Sequence, residues 1–169
     1  MISLLVAYTK NNRVIGAQGK IPWKLSSERN RFKAICNGKY VIMGRKSYDE
    51  IGKPLPYCKL VVVSHTQIDS SLTSFAPHND NLIVKASLEE AIDFCKAQGQ
   101  NEILIAGGGS IYEQALPYAD KIYATEIEAD FEGDIFFPSL PANWTSKIDE
   151  THEENGIKFT YLTYERLDV

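Results

Sequence analysis

The chain has 169 residues, 44% of them hydrophobic and 24% charged, with a formal net charge of -4. That length supports one domain with a real core and falls short of two comfortable ones. The acidic balance argues against a nucleic-acid binder, which shows a basic face, and no apolar run approaches the roughly 18 residues of a membrane span. Cys36, Cys58 and Cys95 are widely spaced, no Cys-x-x-Cys occurs and the histidines are scattered, so no metal site is expected. Reduced thiols, and a start without a basic leader or cleavage site, lead us to expect a cytoplasmic enzyme.

In chain order, Ile2 to Tyr8 reads as the first core strand and Asn12 to Lys24 as a loop. Ser26 to Cys36 is helical, with Leu25, Glu28, Phe32, Ile35 and Cys36 on roughly one face. Tyr40 to Met43 is a strand and Lys46 to Ile51 a short helix, stopped by Gly52 and Pro54. Leu60 to Val63, rich in β-branched residues, and Leu82 to Val84 are strands. Ser87 and Glu90 form a capping box that opens a helix, and Gly99 suits its end. Ile103 to Ala106 is a buried strand, followed by a helix from Ser110 that ends before Pro117. Ile122 to Ile127 is a strand, and Lys147 to Thr151 with Ile157 to Tyr164 form a hairpin about Asn155-Gly156. Strands separated by helices imply right-handed crossovers. The expected fold is α/β: one three-layer domain over residues 1–169, an eight-stranded, mostly parallel sheet with a C-terminal antiparallel hairpin and four flanking helices.

Chemistry-bearing residues gather at the carboxyl ends of these strands, where open α/β sheets bind ligands. Gly107-Gly108-Gly109 removes every Cβ after the fifth strand, just before the helix start at Ser110 and Ile111, a combination suited to phosphate. One glycine would satisfy a plain tight turn, and the spacing is not the full dinucleotide fingerprint. The second strand ends in Gly44-Arg45-Lys46-Ser47 and the third in Ser64-His65. Either cation alone reads as a solvated surface charge; their repetition at adjacent strand ends favours a phosphorylated ligand, and NADPH would use all three ends. Glu28 lies on the apolar side of its helix, where burial would raise its pKa and suit proton handling; the alternative is a dipole-favoured glutamate facing water. The loop before it holds Gly16, Gly19, Pro22 and Trp23 and reads as a hinged lid or as an ordinary loop with a tucked tryptophan.

These residues resemble the dihydrofolate reductase family, bacterial type, over nearly the whole chain. The matching pieces are Val14-Ile15-Gly16, Ile21-Pro22-Trp23, Phe32-Lys33, Val41-Ile42-Met43-Gly44-Arg45, Gly52-Lys53-Pro54-Leu55-Pro56, Gly107-Gly108-Gly109, Ile111-Tyr112, and Glu132-Gly133-Asp134 before Phe137-Pro138. The resemblance implies NADPH-dependent reduction of dihydrofolate to tetrahydrofolate, with hydride to C6 and a proton to N5. It makes Glu28 the single active-site acid, bonded to the pterin N3 and 2-amino group and supported by Thr125. Trp23 and Ile21 belong to a mobile loop over the nicotinamide. Leu5, Val6, Ala7, Phe32, Ser47, Ile51, Leu55, Ala106 and Tyr112 form the substrate and nicotinamide walls, with Arg29 and Lys53 near the substrate tail. Tyr112, Trp23 and Thr125 join Glu28 as catalytic residues. The cofactor falls to Ala7, Ile15, Gly16, Gly44, Ser47, Gly109, Ser110, Ile111 and a cis Gly107-Gly108 peptide, its adenosine phosphate to Arg45, Ser64, Lys46 and His65. Asp134 lies in a loop that braces the lid. Partners are dihydrofolate and antifolate inhibitors, the chain being a monomer without nucleic acid or membrane.

Two departures stand out. The acid is glutamate where bacterial housekeeping enzymes usually carry aspartate, which raises trimethoprim resistance as an expectation. The family's arginine for the glutamyl α-carboxylate maps to Cys58, so we expect weak dependence on the substrate's tail, with Lys53, Lys59 or Arg29 in compensation. The competing readings are a related pterin or pyrimidine reductase, such as that of riboflavin synthesis, and a non-catalytic NADPH or folate binder. The first is expected to lack Pro22-Trp23 and Glu28; the second has the loss at Cys58 as its only support.

Overall fold

The apolar, β-branched runs become strands of one central sheet, and the amphipathic runs between them become its covering helices. The computed structural model describes residues 1–65 and 81–168. In chain order the elements are β1 (Ile2–Thr9), β2 (Val14–Gly16), α1 (Ser26–Cys36), β3 (Tyr40–Gly44), α2 (Arg45–Ile51), β4 (Lys59–Val63) and β5 (Leu82–Lys85). There follow α3 (Leu88–Ala97), β6 (Ile103–Ile105), α4 (Gly109–Ala115), a 3-10 turn (Leu116–Tyr118), β7 (Lys121–Glu128), β8 (Ile135–Phe136), β9 (Trp144–Glu154) and β10 (Ile157–Arg166).

The eight-stranded sheet runs β5-β4-β3-β6-β1-β7-β10-β9. Its first six strands are parallel, and β10 joins β7 and β9 antiparallel. Two apolar layers flank it. Leu4, Val6, Ile42 and Ile105 pack with Leu88, Ile92 and Cys95 of α3 and Ile111 and Tyr112 of α4. On the opposite face Leu5, Val41 and Met43 pack with Phe32, Ile35 and Cys36 of α1 and Tyr48 of α2. A third cluster, Trp23, Leu25, Ile127, Phe159 and Tyr161, lies beneath the loop before α1.

The expected α/β architecture is present, with four helices among the described residues. The local signals behave as read: Ser87 Oγ accepts from the Glu90 N–H, although Glu90 reaches back to the Ala86 N–H. Gly52 ends α2 with φ 75° and donates to Tyr48 O, and Asn155 and Gly156 both take positive φ in the hairpin turn. The differences are non-local. The segment read as loop contains β2, which pairs with β8 in a second, two-stranded sheet. Strands of three and two residues carry no period of their own, so only their long-range pairing reveals them. The C-terminal strands also run longer than expected, because β9 pairs along nearly all of β10.

The register of β1 positions the cleft. It pairs with β6 only from Ile2 to Leu4, whereas its pairing with β7 continues to Thr9. Beyond Leu4 and Ile105 the two central strands therefore part, and their carboxyl ends open a gap at a topological switch point of the sheet.

Candidate active site

Glu28 stands in the first turn of α1, beside this gap. The hydroxyl of Thr125, a fully buried residue of β7, donates to Glu28 Oε2 at 2.7 Å. Burial pushes the Glu28 pKa above the ordinary carboxylate range, opposed by the Thr125 hydrogen bond and the positive charge of Arg31. Arg31 lies three residues on, on the same side of the helix. Its Nη1 donates to Thr125 Oγ1 at 3.0 Å and to Ala124 O at 3.1 Å, and its guanidinium lies 4.1 Å from the Tyr161 ring centre. Arg31 is absent from the sequence reading; its spacing from Glu28 is the signal that could have found it.

Leu5, Phe32, Ile51, Leu55 and Ala106 meet in one cluster between the sheet, α1 and the segment after α2. Val6 lies elsewhere: side chains alternate along a strand, so it points into the opposite layer from Leu5. Ala7 packs at the edge of the third cluster with Trp23. Tyr112 is buried, and its hydroxyl donates at 2.6 Å to Leu5 O, one residue past the last residue that β1 pairs with β6.

The glycine turn contains the cis peptide Gly107-Gly108. Gly44 N–H donates to Gly107 O at 2.7 Å, joining the ends of β3 and β6. Gly107 has φ +106°, and a Cβ there would meet the Tyr112 ring at 3.2 Å. A Cβ on Gly108 would meet Ser47 Oγ at 3.1 Å, so a hydroxyl of α2 stands directly against the turn. Arg45 begins α2 and pairs through Nε with Asp49 at 2.9 Å; Lys46 and His65 are exposed. Ser64 is buried at the end of β4, its N–H bonded to Lys85 O at 2.9 Å.

The loop after β1 is held from two sides. Asp134 N–H donates to Gly16 O at 3.0 Å beside the β2–β8 pair. Gly133 presses so closely that a Cβ there would lie 2.6 Å from Gly16 O. Across the cleft, Ile21 N–H donates to Glu50 Oε1 at 2.9 Å, tying the loop to α2. Trp23 is buried, its ring 6.0 Å from Phe131, whereas Ile21 is 55% exposed.

The residues considered for a substrate tail do not converge. Cys58 is buried among core residues that include Cys36, and burial pushes its thiol up to about 11. Lys59 Nζ is occupied at the Tyr40 hydroxyl, 3.4 Å away. Arg29 and Lys53 are exposed.

The donor set fits a phosphorylated dinucleotide. Half-exposed Gly108 and Gly109 leave the N-cap and first residue of α4 without side chains, Ser47 stands against Gly108, and Arg45 and Lys46 add cations and His65 an imidazole at the adjoining strand ends. No cluster of metal-ligating side chains occurs among the described residues. The site thus offers one half-buried acid, an apolar wall and a cationic, glycine-lined flank.

Comparison with known proteins gives a match to the family model described as dihydrofolate reductase over residues 1–166. The chain is 39% identical to the dihydrofolate reductase of Haemophilus influenzae, over 97% of this chain and 98% of that one. It is 36% identical to the dihydrofolate reductase of Bacillus subtilis, over 98% and 95%. It is 37% identical to dihydrofolate reductase type 3 of Salmonella typhimurium, over 98% of both chains.

Proposed function

Because the chain belongs to the dihydrofolate reductase family, we propose that the gap between β1 and β6 is its active site and Glu28 its reactive acid. The enzyme reduces 7,8-dihydrofolate to 5,6,7,8-tetrahydrofolate, and NADPH, when bound, supplies the hydride for C6 of the pterin. The observation that carries the reading is a carboxylate with a raised pKa, bonded to Thr125 where the central strands part.

The roles of the chain's own groups follow from their placement. Thr125 takes one acceptor site on Oε2 of Glu28, and the remaining sites of the carboxylate serve the pterin N3 and 2-amino group. An anion there stabilises the protonated, more electrophilic pterin, and a water carries the proton to N5. Leu5, Phe32, Ile51, Leu55 and Ala106 wall the ring in apolar surroundings, where that electrostatic effect is strongest. Tyr112 holds Leu5 O and so fixes the middle of β1, where it leaves β6, against the glycine turn. Gly44, Gly107, Gly108, Gly109, Ser47, Arg45, Lys46, Ser64 and His65 hold NADPH, and the loop with Ile15, Gly16, Ile21 and Trp23 excludes water. On this reading residues 1–169 act as one cytoplasmic domain, working as a monomer.

Adding dihydrofolate to the protein with NADPH tests the reading: the absorbance of NADPH should fall, and an unchanged trace would overturn it in favour of the related reductase or the binding module. The same assay extends to two consequences. The extra methylene of Glu28 moves the carboxylate relative to an aspartate and favours trimethoprim resistance, which inhibition at the low-nanomolar level of a sensitive enzyme would refute. Buried Cys58 offers no carboxylate clamp, so a tail-less dihydropterin should retain most of kcat/KM, and a large loss would contradict this.

A further inference from the structure

We infer that Arg31 is a positioning residue for the reactive acid, its guanidinium fixing the direction in which Thr125 donates and setting the charge that Glu28 faces. The inference rests on the assignment of Glu28 made above. The first argument is one of donors and acceptors. A guanidinium only donates, so Thr125 Oγ1 must accept from Arg31 Nη1 at 3.0 Å. The single hydroxyl proton of Thr125 is then committed to its other partner, Glu28 Oε2, at 2.7 Å. Oε2 is therefore an acceptor whether or not the acid is protonated. A carbonyl oxygen is the better acceptor for the Thr125 hydroxyl, so a proton taken up by Glu28 is favoured on Oε1.

The second argument is electrostatic. Glu28 is faced by Arg31 on its own helix, Thr125 on β7, Tyr112 on α4 and Tyr161 on β10. Among these groups only Arg31 carries a positive charge at neutral pH. Arg31 is itself faced by Tyr161 of β10 and by Asp149 and Glu150 of β9, and Tyr123 of β7 also interacts with it. Stacking on Tyr161 and bonding to Ala124 O hold the cation in place without neutralising it. Burial drives the acid toward its neutral form, and Arg31 opposes this.

The pH dependence of turnover separates this role from packing. Loss of the cation favours protonation of both Glu28 and the pterin N5 beside it, so the macroscopic pKa of the pair rises whichever group holds the proton. In Arg31→Leu and Arg31→Gln the falling alkaline limb of kcat should move to higher pH by about one unit. Arg31→Lys, which keeps charge and donor, should restore most of the wild-type profile. A packing role alone would lower Tm and leave the profile in place. Should Arg31→Leu fold poorly, Arg31→Gln supplies the same readout with a polar side chain of similar length. Profiles of folded Arg31→Gln and wild type that superimpose would overturn the inference. A wild-type protein that fails to oxidise NADPH with dihydrofolate would instead remove the assignment of Glu28 beneath it.

Discussion

At Glu28 stability and activity pull in opposite directions. Its carboxyl has a raised pKa because desolvation outweighs the help of Thr125 and Arg31. A carboxylate more basic in the folded than in the unfolded chain is destabilising above its folded pKa, since the native state must hold a charge it disfavours; the penalty vanishes below the unfolded value. Glu28→Gln removes that charge and keeps the acceptor for Thr125. Its melting temperature at pH 7 should match or exceed that of the wild type, with the difference fading near pH 4, as calorimetry would show. Its kcat at pH 7 should fall by about 100-fold or more, and residual turnover should climb as the pH drops and solvent protonates N5. Undiminished turnover would take Glu28 out of the chemistry. This residue was legible in the sequence because a carboxylate on an apolar helix face is anomalous. Arg31 offered only its spacing from Glu28, and its role emerges when Thr125 and Tyr161 are brought beside it by two distant strands.

The helix that carries the acid lacks a capping side chain of its own: its N-cap is Leu25. The missing acceptor comes from the far end of the chain. Glu154, at the end of β9, accepts from Ser26 N–H at 3.0 Å, from Ser27 N–H at 3.2 Å and from the Ser26 hydroxyl. These bonds, the Ser26 hydroxyl foremost, pull the Glu154 pKa down to about 2 from the ordinary 4.5. A depressed carboxylate stabilises the fold above its unfolded pKa and loses that contribution as the pH falls through its folded value. Glu154→Gln should therefore melt below the wild type at neutral pH, with the gap narrowing from about pH 4.5 toward 2. An equal gap across that range would show that ionisation plays no part. Amide exchange at Ser26 and Ser27 should quicken in the same variant. Local helix signals could not disclose this cap, because the acceptor lies across the molecule. By contrast, Ser87 caps α3 from within and was readable.

Across the whole molecule, what was legible follows sequence distance. Apolar runs, the Asn155-Gly156 turn and the glycine run are local, and each marks its element without reference to the rest. β2 and β8 exist only as a pair contributed by segments far apart in the chain, so their loop reading failed. The same division predicts a gradient of protection. Val41, Ile42 and Leu104 are buried and paired on both sides, and their amides should exchange only on global opening, while those of the exposed edge strand β9 exchange by local fraying. Uniform protection across β3 and β9 would contradict that gradient. The support of α1 by Thr125, Glu154 and Tyr161 has a consequence for biosynthesis. Each brace is translated long after the carboxyl it serves, so a growing polypeptide on the ribosome stays catalytically silent until its final hairpin has emerged and docked.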